Sequence, residues 1–138
     1  STLSNAMDVG NPSNFIRILE IFNHQFPLLK EKLSAATITD TETESTIGEV
    51  FRRFGYTLDP HGAVGYLALA NYLKAHSGEK GIFLETAHPV KFPDAVERNT
   101  NQVQIIPPVL EPMMQQPKQS IFMAPGYHNL KEYLWNKS

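Results

Sequence analysis

Residues 81–86, Gly-Ile-Phe-Leu-Glu-Thr, are the strongest strand-like run in a chain otherwise patterned for helices. An apolar run of this kind, bounded by a turn and a polar loop, is expected of a strand buried on both faces of a parallel sheet. Such a strand needs neighbours on both sides. The only other strand-like stretch is the short Tyr56-Thr57-Leu58. The sequence therefore reads as part of a sheet, with helices packed on few strands.

The helices announce themselves through caps and spacing. Asn11-Pro12 places a capping side chain before a proline, and Phe15, Ile18, Leu19 and Phe22 follow at i, i+3, i+4 and i+7. A helix is expected from Pro12, with Pro27 kinking or breaking it. Thr39-Asp40-Thr41-Glu42 has the form of a capping box, ahead of Ile47, Val50, Phe51 and Phe54, and Gly55 is placed to end that second helix. Asp59-Pro60 repeats the cap-plus-proline signal for a third helix ending near Ser77-Gly78. Its Gly62, Ala63, Gly65, Ala68 and Ala70 leave it small-sided, which suits close packing against a sheet. Beyond residue 100, the prolines at 107, 108, 112, 117 and 125 predict an irregular strap with one short helix around residues 110–116. An aromatic-rich helix over residues 127–135 is expected to dock on a core.

Composition removes several classes of function. A net charge of -2, with Lys and Arg scattered along 138 residues, offers no footprint for a nucleic-acid backbone. The chain has no Cys, which excludes disulfides and thiolate metal sites and fits a cytoplasmic setting. No apolar run approaches the ~18 residues of a membrane span, and the N-terminal residues lack a secretory pattern. Ser4-Asn5-Ala6-Met7 has the look of a cloning scar, yet the motif that carries the resemblance below runs straight through it. His24, His76 and His128 are far apart in sequence, and no HExxH or G-x-S-x-G pattern occurs.

Three blocks resemble the threonine synthase family of the microbial type. They are residues 2–15, Thr-Leu-Ser-Asn-Ala-Met-Asp-Val-Gly-Asn-Pro-Ser-Asn-Phe; residues 56–65, Tyr-Thr-Leu-Asp-Pro-His-Gly-Ala-Val-Gly; and residues 86–92, Thr-Ala-His-Pro-Val-Lys-Phe. Their order and spacing match the family's C-terminal part, and the proline-rich strap and terminal helix extend the likeness over essentially the whole chain. The resemblance implies an α/β fold, the C-terminal portion of a pyridoxal-phosphate-dependent (PLP) fold related to tryptophan synthase β. It implies few parallel strands with packed helices and an incomplete sheet. Residues 1–98 would belong to the PLP-binding α/β domain, and residues 99–138 would be the strap and terminal helix.

The implied reaction converts O-phospho-L-homoserine and water to L-threonine and phosphate. The family's cofactor-binding lysine and phosphate-cradling glycine loop lie upstream of everything matched here, so the chain alone is expected to be inactive, with no catalytic residue of its own. Its partner would be the N-terminal segment of the same enzyme. By resemblance, the Thr86 hydroxyl meets the pyridine nitrogen and Ala6 packs on the cofactor face. Asn5, Asp8 and Lys91 are candidates for the substrate mouth. His88 follows Thr86 closely enough to face cofactor or substrate, whereas Asp59 and His61 read as helix-capping residues. Two alternatives remain: a non-catalytic interaction module reusing the same fold piece, and a related enzyme such as a threonine dehydratase. In either setting, a bare sheet edge would favour self-association.

Overall fold

The computed structural model describes residues 2–4 and 11–136. Among them the chain forms α1 (Phe15–Ile21), α2 (Phe26–Lys32), α3 (Asp40–Phe54), α4 (Pro60–Ala75), a 3-10 turn (Pro89–Lys91), α5 (Pro93–Thr100), α6 (Glu111–Met114) and α7 (Tyr127–Trp135). None of the described residues is in a β-strand. The chain divides into two units, Ser1–Ile105 and Ile106–Ser138.

Helix α3 forms where its local signals place it. The Thr39 side chain accepts from the Glu42 amide at 3.3 Å, and a Glu42 carboxylate oxygen accepts from the Thr39 amide at 2.8 Å, so two end donors are satisfied reciprocally. Donation to that carboxylate by the Thr39 amide, and then by the Thr39 hydroxyl at 2.7 Å, holds the exposed Glu42 carboxyl below its ordinary value. Gly55 closes the helix in the left-handed region at φ 65°, donating to Phe51 O at 2.8 Å. Thr39→Ala is expected to cost about 1 kcal/mol, the usual worth of an N-cap side chain, read as a shift of the denaturant midpoint at unchanged m.

Helices α4 and α5 both pack on α3. Gly48 permits the close approach of α5, because a Cβ there would lie 3.0 Å from the Asn99 carbonyl oxygen. Arg98 on α5 reaches Glu44 on α3 at 2.9 Å. The core is Ile47, Val50, Leu58 and Ala63, with Tyr66 and Phe83 packed against it, while Val96 on α5 is fully buried.

Three expectations need correction here. First, α1 starts at Phe15 rather than Pro12: residues 12–15 close a tight turn through the Phe15 amide and the Pro12 carbonyl at 3.0 Å, an i→i+3 bond that precedes the α-helical ladder. Second, the break lies upstream of Pro27. Asn23 and His24 adopt left-handed φ values of 50° and 54°, ending the helix, and Pro27 sits in the first turn of α2, where its missing N–H costs nothing. Third, α7, expected to be buried, has no buried residue.

The fold class is also corrected. Neither residues 56–58 nor residues 81–86 form a strand, and the described residues contain no sheet. Burial along residues 82–88 nevertheless alternates with the period of two that a strand shows. Phe83, Glu85 and Ala87 are partly buried, whereas Ile82 is 90% and Leu84 75% exposed. The inward residues lie along α4. A Cβ at Gly81 would run into Leu69, the Phe83 ring meets Tyr66 edge-on at 5.7 Å, and a Cβ at Gly62 would fall inside the Glu85 carboxyl group. Positions 81, 83 and 85 thus match 69, 65–66 and 62, so this segment runs antiparallel to α4. The small side chains of α4 accept this segment, not a sheet. A strand label requires a hydrogen-bonded neighbour, and the described residues provide none.

Candidate functional site

The start of α4 is built around one buried carboxylate. Asp59 is 0% exposed and caps the helix, its Oδ1 accepting from the His61 amide at 2.6 Å and facing His61 Nδ1 at 2.9 Å. A carboxylate can only accept, so Nδ1 is the donor of the second bond. The Asp59 amide donates to Glu85 Oε1 at 3.0 Å, which ties the 81–88 segment to the helix cap across 26 residues of sequence. The remaining oxygens, Asp59 Oδ2 and Glu85 Oε2, are both buried and have no other partner. Burial pushes the Glu85 carboxyl above its ordinary value, and the neighbouring Asp59 carboxylate adds to the rise. The Asp59 amide and His61 pull in the opposite direction without cancelling it.

With Glu85 held inward, Thr86 points the other way and is exposed. It lines a cavity of about 560 Å³ together with Tyr56, Thr57, Glu85, Ala87, His88, Pro89 and Gln104. The Gln104 side of this wall is fixed by its amide, which donates to Glu97 on α5 at 2.8 Å. His88 sits on the rim and caps the 3-10 turn, Nδ1 accepting from the Val90 amide at 3.2 Å, which leaves Nε2 carrying the proton. His61 touches the Phe92 ring edge-on at 5.3 Å, so the blocks at residues 56–65 and 86–92 are neighbours in space.

Thr86 and His88 therefore share a cavity wall. Lys91, at the end of the 3-10 turn, is exposed and is not part of that wall. Asn5, Ala6 and Asp8 lie outside the described residues, although the segment leading to them is anchored by the Leu3 amide, which donates to Asp40 on α3 at 3.1 Å. Sequence reasoning passed over Glu85. The available signal was a lone acid at an inward position of an apolar run, opposite a helix-capping Asp.

Comparison with known proteins gives the family of the chain. The family described as threonine synthase, C-terminal, matches residues 62–134. Threonine synthase of Buchnera aphidicola (Schizaphis graminum) is 40% identical over 99% of this chain, and that of Escherichia coli is 38% identical over 99%, each match covering 31% of the relative. The crystal structure of Escherichia coli threonine synthase superposes with a TM-score of 0.81 at 36% identity, covering 99% of this chain and 31% of that one. PLP-bound threonine synthase from Brucella melitensis gives a TM-score of 0.61 at 26% identity, over 99% and 34%. The chain thus spans just under a third of the length of these curated relatives. Across almost its whole length it belongs to the threonine synthase family, matching the C-terminal part.

Proposed function

We propose that these residues supply one wall of the PLP site of a threonine synthase, an enzyme that converts O-phospho-L-homoserine and water to L-threonine and phosphate. The observation that carries the reading is the exposed Thr86 hydroxyl on the wall of a cavity of about 560 Å³, within a chain of this family. The residues fit the cofactor in kind: a hydroxyl suited to a ring nitrogen, flanked by the apolar Ala87 and Pro89. When bound, PLP supplies the electron sink for the reaction.

The chain's own residues would then orient and enclose. Thr86 hydrogen-bonds the ring nitrogen, and being a hydroxyl it does not favour a protonated ring as a carboxylate would. His88 Nε2–H is a donor at the rim. Ala6 would pack on the cofactor face, and Asn5, Asp8 and Lys91 would border the substrate mouth. In this reading residues 1–98 belong to the cofactor-binding domain and residues 99–138 form the strap and terminal helix.

The partner is the remainder of the enzyme. Ile82 and Leu84 form a bare apolar row, and Val103 and Ile105 are 82% and 88% exposed in a second segment. Packing by the rest of the synthase would cover the outer face of residues 81–86, and without it that apolar face favours self-association.

The test is complementation. Mixed with the missing portion of a threonine synthase, the 138 residues should restore phosphate release from O-phospho-L-homoserine, and alone they should release none. Turnover by this chain alone would overturn the proposal, as would failure to restore activity with a portion that binds it.

A further inference from the structure

We propose that Glu85 and Asp59 share a single proton, and that this pair is the positioning device that holds Thr86 on the cavity wall. The positioning half rests on the function proposed above, whereas the shared proton does not. Asp59 is fully buried, with Oδ1 already committed to the His61 amide and facing His61 Nδ1. Glu85 Oε1 is committed to the Asp59 amide. That leaves two buried acceptors, Asp59 Oδ2 and Glu85 Oε2, with no donor between them. Two buried unsatisfied carboxyl oxygens carry a large penalty, and one proton placed between them removes it for both. Asp59 Oδ1 accepts two hydrogen bonds, from the His61 amide and Nδ1, whereas Glu85 Oε1 accepts one, so Asp59 is the better-stabilised anion and Glu85 carries that proton.

The consequence reaches Thr86 through the chain. Side chains along residues 82–88 alternate, so locking Glu85 against the α4 cap keeps the neighbouring Thr86 on the exposed face of the segment. Losing the proton places two anions side by side in a buried setting and loosens the lock. The ionisable group facing the pair is His61, on α4.

The sign of the pH dependence follows. The Glu85 carboxyl is held above its ordinary value, first by burial and then by Asp59, so the fold favours its protonated form. Its stabilising contribution is fully present below the unfolded carboxyl value and is lost as pH rises through the folded one.

Carbon-13 NMR of the 138-residue chain, labelled at the Glu and Asp carboxyls, tests the pair. One carboxyl should titrate above the ordinary Glu range, with the Thr86 amide signal moving at the same midpoint. Glu85→Gln supplies a permanent donor to Asp59, so the Thr86 signal should stay at its low-pH position throughout. Asp59→Asn keeps the cap and donates to an ionised Glu85, so the Glu85 midpoint should fall. A Glu85 midpoint at or below its ordinary value, or one unchanged by Asp59→Asn, overturns the shared proton. In the complemented enzyme, PLP affinity should follow the wild-type midpoint and become flat in Glu85→Gln; an identical pH profile in both overturns the positioning role. Absence of PLP binding combined with the expected titration counts against the proposed function and leaves the proton-sharing pair standing.

Discussion

Leu58→Ala is expected to destabilise the chain by about 2–5 kcal/mol, the range for truncating a buried leucine to alanine. Leu58 is 0% exposed and fills the space between Ile47, Val50 and Ala63, directly before the Asp59 cap. The core contains few fully buried large side chains, so little can move in to fill the void. A domain of this size has on the order of 5–15 kcal/mol in total, so one such cavity removes a large share of it. Chemical denaturation should show a lower midpoint at unchanged slope. The same truncation at Leu84, which is 75% exposed, should stay within about 0.5 kcal/mol in the isolated chain. Equal losses at the two positions would mean that residues 81–86 are covered in solution, by a second copy or otherwise.

The contrast between Leu58 and Leu84 also explains which parts of the fold were legible. The Thr39–Glu42 box, the Gly55 stop and the Asp59-Pro60 start were read correctly because each is settled within four residues by a bond the chain makes with itself. Residues 81–86 were read as a strand buried on both faces. The apolar run does carry that signal, but a strand exists only when another segment accepts its ladder. Helix α5 was not anticipated because its inward positions are Ala95, Val96 and Thr100, too few apolar groups to show a helical period. Thr100 is buried there by returning its hydroxyl to Val96 O at 2.8 Å, a solution invisible to a hydrophobicity pattern. At the candidate site, the resemblance points to Thr86, with His88 close behind it in sequence, and both line the cavity. Glu85 was missed because its role depends on lying opposite Asp59, a register set by the packing of residues 81–85 along α4.

Gly62→Ala isolates that register. In an ordinary helix interior this change stabilises by about 1 kcal/mol, since Ala is the better helix former. Here the added Cβ would enter the space of the Glu85 carboxyl group. The backbone around Gly62 is held by the Asp59 cap, so the Glu85 side chain must leave. Its departure strips the acceptor from the Asp59 amide, a cost of about 1–3 kcal/mol for a buried group left unsatisfied. The loss exceeds the propensity gain, and the net effect should be destabilising. In a Glu85→Ala background the carboxyl is already absent, and Gly62→Ala should recover its ordinary stabilising sign. The coupling from this double-mutant cycle should fall within the roughly 0.5–3 kcal/mol seen for residues in contact. A stabilising Gly62→Ala in the wild-type background, or a coupling near zero, would mean that the Glu85 side chain does not lie against the first turn of α4.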